Sequence, residues 1–178
     1  QVVLLVIDAE TGVTNQDKHV VGYAMEENKA IIIVVNKWDL VEHNENSMNE
    51  FSKKIRSEFK FLDYAPIVYL SAKNKSRIQT LFPEIILAYN SYNFRVGTSV
   101  LNDIIADAQI MNPTPIFNGG RLKIYFASQV STCPPTFILS VNNPEYMHFS
   151  YERYIENRLR DSFEFTGSPI KIVCRARK

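Results

Sequence analysis

Two unbroken runs of apolar, largely β-branched residues, Val2–Ile7 and Ala30–Val35, each end at a polar loop and are each followed by a segment with helical periodicity. A strand that is apolar at every position must be covered on both faces, as in a parallel sheet flanked by helices. Neither run approaches the ~20 residues needed to cross a bilayer. The chain begins inside an apolar run at Gln1, so a natural amino terminus is not expected there, and no signal peptide is visible.

The same alternation continues along the chain. Thr14 starts a helix with Asp17 at capping-box spacing, and Val20, Val21, Ala24 and Met25 form its apolar stripe. After the second strand comes a loop, Asn36–Leu40. Ser47 and Glu50 repeat the capping spacing ahead of Phe51, Ile55 and Phe59. Pro66 opens a third strand, Ile67–Leu70, and Ser71–Lys75 is the loop at its end. A helix over Leu81–Tyr92 is expected to turn Phe82, Ile85, Ile86 and Tyr89 inward, with Pro83 in its first turn. Strand, helix, strand, helix, strand, helix predicts an α/β half with a parallel sheet.

The pattern changes at residues 93–97, which read as a linker. Thr98 is expected to cap a helix carrying Val100, Leu101, Ile104, Ile105 and Ala108. A strand over Arg121–Val130 should place Leu122, Ile124 and Phe126 on one side. Further strands are expected at Thr136–Val141 and Ile170–Arg175, and Ser150 is expected to cap a helix ending near Phe163. The order αββαβ predicts a small second domain whose first two strands pair antiparallel. The domains are placed at 1–95 and 96–178; 178 residues suffice for two small domains.

Composition narrows the function classes. A net charge of +1 advertises no nucleic-acid or membrane partner for the chain as a whole. Cys133 and Cys174 have no metal-ligand spacing and read as buried or half-buried thiols of a cytosolic protein rather than as a disulfide. His19, His43 and His148 lack partners at catalytic spacing and read as structural or solvated. No catalytic residue and no metal ligand is expected in these 178 residues.

The chemistry lies in two strand-end loops. Asn36-Lys37-Trp38-Asp39 directly follows the strand AIIIVV, and ligands of open parallel sheets sit beyond the carboxyl ends of strands. The Asp39 carboxylate can accept from both N1–H and the exocyclic amine of guanine. Adenine offers no such donor pair and would leave the carboxylate unmatched. Asn36 can bond the base or brace the loops, and Lys37 can lay its stem along the base or sugar. Trp38 is not expected to stack on a base. In Ser71-Ala72-Lys73, the N–H of Ala72 can donate to guanine O6 and Lys73 can cover the other face of the ring. Asp8 reads as a loop cap.

These residues carry a resemblance. Asn36-Lys37-Trp38-Asp39 resembles the NKxD motif of small GTPases, and Ser71-Ala72-Lys73 their SAK motif. Asp8–Asp17 resembles the Era-like and Der-like branch. Met111–Pro115, Pro134–Phe137 and His148–Tyr154 are similar to the carboxy-terminal domain of the bacterial Der (EngA) tandem GTPases of ribosome assembly. The resemblance spans essentially the whole chain. It implies the latter half of a second Ras-like P-loop G domain followed by a KH-like domain. It further implies binding of GTP and GDP, GTP hydrolysis with Mg²⁺ in the intact parent, and a docking role on the large ribosomal subunit, through rRNA or ribosomal proteins. Upstream G domains of the same parent are implied partners; DNA and membranes are not. The expected base contacts are Asn36, Lys37, Asp39, Ser71, Ala72 and Lys73.

None of the six glycines falls in a G-x-x-x-x-G-K-[ST] loop, and Asp8 to Gly12 is one residue too long for Asp-x-x-Gly. Phosphate and Mg²⁺ contacts are therefore expected upstream of Gln1. The second domain lacks the G-x-x-G clamp of RNA-binding KH domains, so KH-style RNA clamping is not expected. Lys171, Arg175, Arg177 and Lys178 read equally as a patch for rRNA phosphates and as the wet face of a strand. The aromatic stripe from Tyr151 to Phe163 reads as core. Two rival readings are a non-enzymatic adaptor docking on the ribosome or a partner chain, and a nucleotide-independent RNA-binding module.

Overall fold

A computed structural model describes residues 1–42, 44 and 46–177; His43 and Lys178, read above, lie outside the described residues. The chain forms two compact units. The first is Gln1–Tyr92 with Thr166–Pro169; the second is Asn93–Phe165 with the chain from Ile170 onward.

The first unit runs β1 (Val2–Asp8), α1 (Asn15–Glu26), β2 (Ala30–Asn36), α2 (Ser47–Glu58), β3 (Ile67–Tyr69) and α3 (Leu81–Asn93). β2 lies between β1 and β3, and both pairings are parallel. The apolar run explains the central position: every residue from Ala30 to Val35 is buried. Ile31, Ile33 and Val35 pack with Val21, Ala24, Ile55 and Phe59 on one face. Ala30, Ile32 and Val34 pack with Val68, Ala88 and Tyr92 on the other. Each fully buried Val or Ile side chain of this run is worth about 1.5–3 kcal/mol. β1 pairs only with β2 among the described residues, and Leu4 and Val6 on its even-numbered face are exposed.

Helix starts differ in how they are built. Thr14 and Asp17 make the expected capping box on α1. Ser47 does not cap α2: Asn46 holds the cap position without a side-chain bond, while Ser47 Oγ accepts from the Asn44 N–H and donates to the Glu42 carbonyl. Helix α3 corrects the sequence reading by one position. Leu81, Ile85, Ala88 and Tyr92, at helical spacing, face the core, whereas Phe82, Ile86 and Tyr89 are exposed. Val20 of α1 is exposed as well.

One short segment enters this unit from far along the chain. Gly167 accepts the Ile31 N–H at 2.8 Å and donates its own to the Tyr64 carbonyl at 2.8 Å. Its φ is +74°, and a Cβ there would stand 2.7 Å from the Cβ of Ala88. Only glycine meets both demands.

The second unit runs α4 (Thr98–Met111), β4 (Ile116–Phe117), β5 (Gly120–Arg121), β6 (Ile124–Ser131), β7 (Thr136–Val141), α5 (Phe149–Ser162) and β8 (Lys171–Ala176). β6 and β7 pair antiparallel, β7 and β8 parallel. Phe137, Leu139 and Val141 of β7 pack with Leu101, Ile105 and Ala108 of α4 and with Tyr151, Ile155 and Leu159 of α5, a two-layer core. Among the described residues β6 has β7 on one side only. Toward its other side, Asn102 pairs with both the N–H and the carbonyl of Ala127, and Gln109 does the same for Ile124. Helix-borne amides thus stand in for a missing strand at an edge that would otherwise offer itself for pairing.

Three expectations fail in this unit. The strand expected over Arg121–Val130 is split: Arg121 belongs to the β4–β5 hairpin, β6 begins only at Ile124, and a register shift between Ile124 and Phe126 breaks the alternation. Phe126 is consequently exposed rather than buried. The cap position of α4 is Gly97, without a side-chain bond, and Val100 faces out. α5 is capped not by Ser150 but by His148, whose Nδ1 accepts the Ser150 N–H at 3.2 Å.

Candidate functional site

The parallel register brings the carboxyl ends of the strands to one edge. Asp8 stands opposite Asn36, and the Leu70 N–H donates to the Val35 carbonyl just before Ser71. Both loops singled out in the sequence leave the sheet at this edge, the position expected for a ligand.

The first loop is anchored by the residue between its polar ones. Trp38 is buried against Phe51 and Tyr69, with ring centroids 5.6 and 4.6 Å away, so its ring packs in the core. Its N–H donates to the Leu70 carbonyl at 3.1 Å, fastening this loop to the end of β3. Lys37 adopts the left-handed conformation, φ 59°, and a single 3₁₀ turn over Trp38–Leu40 follows. That turn carries Asp39, which is exposed.

The Lys37 ammonium lies 2.5 Å from Oδ2 of Asp8. Asp8 also accepts the Glu10 and Thr11 N–H groups through Oδ1, closing its own turn. The bond from Lys37 is the largest influence holding the Asp8 carboxyl below its ordinary value, with those two N–H groups assisting. Its reciprocal raises the Lys37 ammonium above its ordinary value. This ion pair between strand ends was not legible in the sequence, where Asp8 read only as a cap.

The second loop closes on itself. Ser71 and Ser76 exchange two backbone hydrogen bonds, at 3.0 and 3.1 Å, and the Asn74 N–H donates to Ser71 Oγ at 3.3 Å. Ser71 is buried and so shapes the loop, whereas Ala72 and Lys73 are exposed. Arg77 donates through Nε to the Tyr69 carbonyl at 3.1 Å, bracing the far end.

Two side chains join the loops. Asn36 Oδ1 accepts the Ala72 N–H at 3.0 Å, and Asn74 donates through Nδ2 to Oδ2 of Asp39 at 2.7 Å. The structure thus brings Asn36, Asp39, Ala72 and Asn74 together. Asn74 went unremarked in the sequence because its partner is 35 residues away and an Asn in a loop is ordinary. An open cavity of about 730 Å³ borders Asp39 and Ser71, with Trp38, Met48 and Arg77 among its other walls. The chemistry on offer is one carboxylate able to accept from two neighbouring donors, one small residue whose backbone N–H is held by Asn36, and two lysine stems.

Among the described residues no group of three or more His, Cys, Asp or Glu side chains could hold a metal ion. No helix among them is long and apolar enough to cross a membrane.

Residues 1–91 match the family described as the Elongation factor Tu GTP binding domain. Residues 95–175 match the family described as KH-domain-like of EngA bacterial GTPase enzymes, C-terminal. The chain is 58% identical over 176 residues to GTPase Der of Bacillus cytotoxicus, covering 99% of this chain and 40% of that protein. It is 56% identical over 177 residues to GTPase Der of Oceanobacillus iheyensis, covering 99% and 41%. The chain therefore spans about two fifths of the length of these relatives. A crystal structure of a variant of Aquifex aeolicus Era bound to GDP.AlF4- is 18% identical, with a TM-score of 0.44 over 98% of this chain and 64% of that one.

Proposed function

The chain belongs to the bacterial Der (EngA) GTPase family, and on that premise we propose that the protein it forms part of binds GTP and GDP and hydrolyses GTP during assembly of the large ribosomal subunit in the cytoplasm. In this reading Asn36, Lys37, Asp39, Ser71, Ala72 and Lys73 choose guanine over adenine. Asp39 accepts from N1–H and the exocyclic amine, and the Ala72 N–H turns to O6. Lys37 and Lys73 cover the two faces of the ring, while Asn36 and Ser71 hold the loops in place. A carboxylate facing adenine would lose its partners in a fixed site, a mismatch that discriminates strongly.

The observation that carries the reading is the joining of the two loops by Asn36 at the carboxyl edge of a parallel sheet. Mg²⁺ and the phosphates are assigned to residues of the intact protein outside this chain, since none of the six glycines here falls in a phosphate loop. No hydrolytic step is assigned to a side chain here. The exposed Leu4 and Val6 of β1 and the exposed Phe82, Ile86 and Tyr89 of α3 support a G domain completed by further chain. The second unit is assigned to docking on the large subunit, with the upstream G domains as partners within the same protein.

Equilibrium binding and turnover on the full-length protein test this. GDP should bind with at least a hundredfold preference over ADP, GTP should be hydrolysed, and the protein should sediment with large subunits. The 178-residue chain alone should show no hydrolysis and GDP binding weaker than micromolar, because phosphate contacts supply much of the affinity. Equal GDP and ADP affinity in the full-length protein would contradict the assignment.

A further inference from the structure

We propose that Asn74 is a positioning and selectivity residue of the base site, its amide holding the Asp39 carboxylate in the orientation that guanine's two donors require. The inference rests on the guanine reading above. Asp39 sits in a single 3₁₀ turn and is exposed, and among the described residues of its own loop no hydrogen bond fixes the rotation of its carboxylate. Asn74 supplies that constraint from the other loop, through a 2.7 Å bond to Oδ2.

Asn74 is itself well placed to act as a fixed point. The loop from Ser71 to Ser76 is closed by two backbone bonds, and the Asn74 N–H is held by Ser71 Oγ. An ionised carboxylate has about four lone-pair sites on two oxygens. Asn74 occupies one, which leaves both oxygens able to accept. Guanine presents N1–H and the exocyclic amine side by side and needs one acceptor from each oxygen in a common plane. Hypoxanthine presents N1–H alone and can find one oxygen at almost any rotation. Fixing the carboxylate therefore favours guanine over hypoxanthine, beyond any general tightening of the loop.

The test compares GDP with IDP on the full-length protein by titration calorimetry or nucleotide fluorescence. Asn74→Ala should weaken GDP binding about 3- to 10-fold, the range of a single hydrogen bond, and IDP binding by clearly less, so the GDP/IDP ratio narrows. Asn74→Asp keeps the shape but sets a like charge against Asp39, and should cost more for GDP. In an Asp39→Ala background, Asn74→Ala should change neither affinity. An equal loss for both nucleotides, no loss at all, or a loss that persists without Asp39 would overturn the proposal while leaving the guanine reading intact. If Asp39→Ala left GDP affinity unchanged, the guanine reading and the role of Asn74 would fall together.

Discussion

The backbone N–H of Ala72 donates to Oδ1 of Asn36 at 3.0 Å, joining positions 36 residues apart. The same side chain that opens the first polar loop therefore sets the position of the second. Asn36→Ala removes the tie without changing any proposed contact of Asp39. We expect about 1 kcal/mol of lost stability, the worth of one ordinary hydrogen bond. GDP affinity of the full-length protein should fall about tenfold, because the loop that carries Ala72 and Lys73 is no longer held at a fixed distance from Asp39. Thermal unfolding and GDP titration check the two effects separately.

The Asp8–Lys37 pair predicts a pH dependence with a definite sign. The Asp8 carboxyl lies below its ordinary 3.8 in the folded protein. The unfolded chain therefore binds this proton more readily, and the pair's contribution is present above pH 3.8 and lost as pH falls through the lower folded value. Lys37 lies above its ordinary 10.5, so its contribution is present below that pH and lost as pH rises through the raised folded value. Carbon-detected NMR titration should place the Asp8 midpoint below 3.8. Lys37→Met should move that midpoint upward, with the Glu10 and Thr11 N–H groups still holding it partly down.

Much of this was legible in the residues, for identifiable reasons. β2 was readable because a run apolar at every position has few alternatives to burial on both faces. The placement of Asn36, Asp39 and Ala72 at one edge of the sheet was readable because each lies just after an apolar run. What escaped depended on contacts between distant residues or on local register. The turn of α3 was misjudged because that helix is apolar nearly all round, so periodicity does not choose between Phe82 and Leu81 for the core. Phe126 was misplaced because a β-bulge leaves no clear mark in an alternating pattern. Asn74 and the Lys37–Asp8 pair were invisible because each partner lies on another loop.

Asn102 protects the open side of β6, and its loss should be felt well beyond one contact. Asn102→Ala leaves the N–H and carbonyl of the fully buried Ala127 without these partners. We expect destabilisation of about 2–4 kcal/mol, from two backbone groups left unsatisfied. Chemical denaturation should record it, and hydrogen exchange at Ala127 should accelerate.

Gly167 and Gly12 both have positive φ, at +74° and +73°, but only Gly167 is crowded. Gly12→Ala should cost about 1–2 kcal/mol, the strain of a left-handed non-glycine residue. Gly167→Ala adds a clash with the Cβ of Ala88 at 2.7 Å and should cost about 3 kcal/mol or more. Ala88→Gly should relieve part of that extra cost, which a double-mutant cycle would reveal.

The account turns on Asp39 reading the guanine edge, and nucleotide exchange of the base tests it most directly. Asp39→Asn replaces a double acceptor with an amide that matches the added carbonyl of xanthine. Dissociation constants for GDP and XDP should be measured on the full-length wild-type and Asp39→Asn proteins. The account predicts that the wild type prefers GDP and that Asp39→Asn reverses the preference, losing at least tenfold for GDP while gaining for XDP. Unchanged affinity and selectivity for GDP in Asp39→Asn would contradict the assignment of this site.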